Sequence, residues 1–162
     1  MLGPGKNSNM KKLVSIFLLS LLLASCANQP RYGDAKKWLP ETLPGDGRLF
    51  VYQPRNIFTT VSPFTFVLDG KEVVDFYSGT GFYIDLAAGR HLVTYNGGKG
   101  KVAIDVPDGG ALFLKYRIVT DDVSKSNYIV TEVPADTADV EMESTFLIEP
   151  KMPYVRGLQI RL

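Results

Sequence analysis

The chain has one cysteine, one histidine and one tryptophan in 162 residues. A single cysteine excludes an internal disulfide framework and any all-cysteine metal site. A single histidine excludes a His-rich metal centre. Excess charge of one sign is also missing. Lys and Arg number 18 against 17 Asp and Glu, a net of +1, which excludes the basic balance of a nucleic-acid-binding domain. Long apolar runs are scarce too. The run at 13–24 has 12 residues, and as a helix it would reach only ~18 Å of a ~30 Å hydrocarbon core. What is present is ordinary globular composition, 45% hydrophobic and 22% charged. That suits one folded domain and neither a disordered chain nor a multi-span membrane protein.

The charge is unevenly placed. Residues 1–25 carry Lys6, Lys11 and Lys12 and no acid, which leaves a net of −2 for the rest. Lys11 and Lys12 follow Met10, making Met10 the expected start of a secretory signal whose apolar region is 13–24. The signal closes on Leu23, Ala24, Ser25 and Cys26. This resembles the lipobox of bacterial lipoproteins, in which small residues precede a cysteine whose thiol receives a diacylglycerol. The resemblance implies cleavage before Cys26, lipid attachment at Cys26 and a mature protein held on a membrane without spanning it. One acyl chain holds only marginally, whereas two or three make release negligible. No Asp follows Cys26, which resembles the class sorted to the outer membrane, facing the periplasm.

The segment 26–47 has three prolines, three glycines and few apolar residues after Cys26. It reads as an irregular linker with a full reach of ~65 Å at ~3.1 Å per residue. Trp38 is the residue expected to dock on the domain, because it buries the most area.

From Arg48 the pattern changes to strands. Apolar and β-branched runs at 48–53, 64–69, 72–77, 82–86, 91–96, 101–106, 111–119 and 128–133 alternate with turn residues. Asp69-Gly70 is a two-residue hairpin signal, since both central positions of a type I′ turn need positive φ. Strands at this spacing read as a sandwich or barrel. The expected fold is all-β: an antiparallel β-sandwich of about seven to eight short strands at 48–149, behind a lipoprotein signal peptide (1–25) and a lipid-anchored linker. Alternation places Phe66, Leu68, Ile84, Leu86, Val102, Ile104, Leu112 and Leu114 inward, with the opposite faces wet. Residues 135–144 read as a short helix with Asp136 as a possible cap. Residues 150–162 are a C-terminal tail or an edge strand.

The runs around Tyr52 and Pro54, 66–73 (FVLDGKEV), 81–86 (GFYIDL) and Gly89-Arg90-His91 resemble a family of small bacterial lipoproteins. These carry a single all-β domain of unknown function, similar in plan to transthyretin-like and carboxypeptidase-regulatory-like sandwiches. The likeness covers roughly 30–149. The chain departs from it at Gln53-Pro54 and at Ala87-Ala88-Gly89. The glycines report turns, and the resemblance implies no catalytic residues.

Patterns that carry chemistry are few. The run 97–101 (GGKGK) precedes a strand, whereas a phosphate-binding loop opens a helix; it reads as a hairpin loop. His91 has no sequence-local partner and reads as structural or solvated. Asp121-Asp122 and the later acids lack the spacing of a calcium loop. No metal site, cofactor or nucleic-acid partner is expected. The apolar Ile57, Phe58 and Val61 lie between Pro54 and Pro63 and form a possible interaction loop for an envelope protein, the bland reading being a loop folded on the core. The function expected is a non-enzymatic, lipid-anchored binding or interaction module. The alternative is a small-ligand or glycan-binding module using exposed aromatics such as Tyr52, Tyr83, Tyr95 and Phe113. An envelope hydrolase is third, since no sequence signature of one is present.

Overall fold

A computed structural model describes residues 29–55, 63–122 and 125–151. The lipobox residues Leu23, Ala24, Ser25 and Cys26 lie outside the described residues. So do Ile57, Phe58 and Val61, and residues 152–162.

Every residue of β1 (Asp46–Tyr52) is buried. A strand is covered on both faces only if something packs against each, and the apolar run at 49–52 fits that position. The strands that follow are β2 (Phe64–Leu68), β3 (Lys71–Phe76), β4 (Thr80–Ala87), β5 (Gly89–Tyr95), β6 (Gly100–Val106), β7 (Ala111–Asp122), β8 (Lys125–Val133) and β9 (Phe146–Leu147). All eight strands read from the sequence are there. The ninth has two residues. One sheet runs β8-β7-β1-β4-β9 and the other β3-β2-β5-β6.

The hairpins form where the turn chemistry puts them. Asp69 and Gly70 have φ of 49° and 77°, as a type I′ turn requires. The turn after β3 and that at Ala88 instead carry the chain from one sheet to the other. β7 and β8 run past the 111–119 and 128–133 read from the sequence, to Asp122 and from Lys125, and these two residues are paired in the register.

Two expectations change. The larger sheet is mixed, not antiparallel: β1 pairs parallel with β7, and β4 with β9. Only strands joined by a short turn are forced antiparallel, and β2 to β6 intervene between β1 and β7. The second change concerns the wet face. Leu49, Val51, Phe66, Phe82, Ile104 and Leu114 fill the space between the sheets. Val102 and Leu112, expected with them, are only partly buried against this core. The other face of the larger sheet carries Phe50, Tyr52 and Phe113, and it is also buried. It is covered by α1 (Tyr32–Ala35) and α2 (Ala135–Met142), through Tyr32, Ala138 and Met142. The helix read at 135–144 is therefore the lid of a second apolar layer. Its N-cap is Pro134. Asp136 instead accepts from the Thr137 N–H at 2.7 Å.

Among the described residues no helix is long and apolar enough to cross a membrane.

Candidate functional site

The chain emerges into the described structure at Gln29 and is fastened within three residues. The Leu147 N–H donates to the Pro30 carbonyl at 2.8 Å, and the Tyr32 N–H to the Thr145 carbonyl at 2.8 Å. Tyr32 is 3% exposed. Its ring stands edge-on to Phe50, centroids 5.6 Å apart, and its hydroxyl donates to the Asp139 carboxylate. Burial, then the bond to Asp139, push this hydroxyl above the ordinary tyrosine value. The expected linker is thus docked structure from Arg31 onward. Its anchor is Tyr32, not Trp38.

A 3-10 turn at Lys36–Trp38 follows α1. It turns Trp38 outward, leaving it 85% exposed. Leu39 packs inward on the second core layer, while Leu43 is 49% exposed. Between this turn and β4 lies a groove of about 860 Å³, lined by Trp38, Leu39, Leu43, Tyr83, Leu147 and Ile148 among others. β9 pairs with β4 only at Thr80 and Gly81, so the groove runs on where that pairing stops.

The polar side chains of the domain join elements together. Arg48 donates from Nε and a terminal nitrogen to both Asp85 oxygens at 2.6 and 2.7 Å, across the β1–β4 register. Its guanidinium also lies 4.9 Å from the Tyr83 ring centroid. Such fork-on-fork pairing is among the stronger polar contacts. Glu141 on α2 accepts from the Tyr52 hydroxyl at 2.5 Å and from Lys115 Nζ at 2.6 Å. Burial raises the Glu141 carboxyl, but the bonds from Lys115 and Tyr52 outweigh it and hold the group below its usual range.

His91 is buried, with a partner the sequence did not reveal. Its Nδ1 faces Asp69 Oδ2 at 2.7 Å, and its Nε2 faces the Ala87 carbonyl at 2.8 Å. A carbonyl only accepts, so Nε2 carries a proton. The other Asp69 oxygen accepts the Leu92 N–H at 2.8 Å. Asp69 lies 22 residues before His91, but the hairpin turn sets it beside β5.

Of the four aromatics considered for ligand binding, Tyr52 and Phe113 are 0% and 5% exposed. Phe113 stacks on Phe50 at 4.7 Å. Tyr95 packs against the inner core and only Tyr83 borders the groove. They form no common surface platform. Among the described residues no three of His, Cys, Asp and Glu gather as a metal-holding group.

No protein-family model, curated protein or solved structure compared with the chain matches it.

Proposed function

We propose that the protein is a lipid-anchored envelope lipoprotein of the small all-β kind that its sequence resembles. Residues 1–25 are removed, Cys26 is acylated, and the domain stands at the periplasmic side of a membrane, the outer one by the residue after Cys26. The domain acts as a non-enzymatic interaction module, and the loop bearing Ile57, Phe58 and Val61 is its proposed contact with an envelope protein. One observation carries the reading: the only cysteine of the chain falls directly after Leu23-Ala24-Ser25 at the end of a signal-like apolar run. The non-enzymatic part is supported by the use of the polar groups. Arg48, Asp85, Glu141, His91 and Asp69 each hold one element to another.

Intact mass and detergent partitioning of the full chain test the anchor. The expected product starts at Cys26, carries acyl mass and enters the detergent phase, and Cys26→Ala stays aqueous or uncleaved. Wild-type protein without acyl mass in the aqueous phase would sink the anchor. A photo-crosslinker at Phe58 tests the loop. Its expected result is a discrete adduct with another envelope protein.

A further inference from the structure

We propose that the face built by Trp38 and Leu43 seats on the lipid surface that carries the anchor, with the Trp38 ring in the membrane interface. The proposal rests on the acylation of Cys26. Its own support is geometric.

The first support is distance. Tyr32 is buried and bonded to Thr145, so at most the stretch from Cys26 to Tyr32 separates the anchor from a fixed point of the domain. Six extended residues reach at most about 20 Å, from ~3.3–3.6 Å per residue. Without the docked turn the linker would reach ~65 Å, as a proline-rich segment does. The fastening of Tyr32 to Thr145 and Phe50 therefore keeps the α1 end of the domain at the bilayer.

The second support is what that end presents. Trp38 is the only tryptophan in the chain and the most exposed of the large exposed apolar side chains described, at 85%. A lone exposed apolar residue needs no explanation. This one follows the fixed Tyr32 by six residues, on a turn that also carries Lys36 and Lys37, and it lines the same groove as Leu43. Tryptophan prefers the headgroup level, where its ring is apolar and its N–H is wet. Lysine stems lie along apolar surface while their ammonium groups reach the phosphates. Lys37 is exposed and available for that, whereas Lys36 is paired with Glu143 and Asp139. The combination fits a lipid headgroup layer better than a protein groove-filler.

The single tryptophan makes the test direct. The full chain is expressed with its signal segment, purified from membranes and returned to phosphatidylethanolamine–phosphatidylglycerol vesicles containing bromolipids. Intact mass is taken on the same sample. The expected result is blue-shifted Trp38 emission, lost to shallow bromolipid and resistant to acrylamide, with Leu43→Asp and Lys37→Glu together restoring acrylamide quenching. Acyl mass at Cys26 with emission open to acrylamide and blind to bromolipid overturns the proposal and leaves the anchor intact. Emission shielded from both quenchers means that a protein or a second copy covers the face, and this also overturns it. If no acyl mass is found, the anchor fails. Adding vesicles to that protein then decides the contact alone: a blue shift upholds it and an unchanged spectrum overturns it.

Discussion

Single side chains in this domain are placed by partners remote in sequence, and their worth follows from what they leave behind. Asp69 does three things at once: it accepts from Leu92 N–H, faces His91 Nδ1 and tolerates φ of 49°. Asp69→Ala removes the acceptor of the Leu92 N–H and the partner of His91 Nδ1, at about 1–3 kcal/mol for each group left unsatisfied. A drop in the urea midpoint without loss of strand signal is expected. An unchanged midpoint would make the His91 contact incidental. The pH limbs belong to this scale as well. Burial and the bond to Glu141 hold the Tyr52 hydroxyl above its ordinary value. An unfolded tyrosine ionises near pH 10 while the folded one stays protonated. The associated stability is thus full below about pH 10 and lost as pH rises beyond it. Glu141 runs the other way, its folded value being lowered from 4.5. Its stabilisation is present above about pH 4.5 and is lost as pH falls through the folded value. Urea midpoints taken across both limbs should show Tyr52→Phe flattening the alkaline fall and Glu141→Gln flattening the acid one. Because Tyr32 and Tyr116 are raised too, the alkaline fall should shrink in Tyr52→Phe without vanishing. Limbs parallel to those of wild type would show that these bonds do not set the pH response.

At the scale of elements, the α1 turn decides how the domain meets what precedes it. Its amides donate to Thr145, Glu143 and Arg31 carbonyls, so hydrogen exchange should be slow at 32–35 and fast at Trp38. Tyr32→Ala should free the whole segment and lower stability by about 3–5 kcal/mol, as loss of a buried aromatic does, whereas Trp38→Ala should leave the melt unchanged. Protection centred on Trp38 would contradict the docking. The strands and the two-residue hairpin were legible in the sequence, because period-two patterning and a turn that demands positive φ are local signals. The inner core followed from the same alternation: Phe66, Leu68, Ile84, Leu86, Ile104 and Leu114 are all buried. Tyr32 was not legible as an anchor, since its partner Asp139 lies 107 residues away. Size pointed to Trp38 instead, and size says nothing about which way a 3-10 turn faces. The same gap hid the parallel β1–β7 pair and the Asp69–His91 contact. Each depends on how elements far apart in sequence are brought together, and hydrophobic period does not encode that. The continuous apolar run of β1 and the position of Phe113 opposite Leu112 and Leu114 did carry a trace of the second layer. They resemble a strand wet on one face only if no helix is available to cover the other.

At the largest scale, the described residues form a sheet sandwiched between another sheet and a pair of short helices, and β1 belongs to both cores. Leu49 and Val51 point into the inner layer, while Phe50 and Tyr52 point into the outer one. Neither layer can lose its packing without disturbing the backbone that the other shares, so the domain should unfold as one unit. The smaller layer is the harder test. Met142 is fully buried beneath α2, on a helix of eight residues, too short to be stable alone. A peripheral helix would fray independently, and Met142→Ala would then cost little. With a shared β1, Met142→Ala should cost about 2–5 kcal/mol. Leu114→Ala in the inner layer falls in the same range. Either is a large share of the ~5–15 kcal/mol that such domains possess. Urea unfolding followed by tyrosine fluorescence and by far-ultraviolet circular dichroism decides the matter. Coincident transitions, shifted by similar amounts in the two variants with an unchanged slope, are expected. A Met142→Ala protein that melts like wild type, or that loses helix in a separate early step, would reduce α2 to an appendage. The outer layer would then contribute nothing to the stability of the fold. The docking of α1 on the sheet, and with it the proposed membrane contact, would also lose its support, because Tyr32 is held by the segment that follows α2 and by Phe50 beneath it.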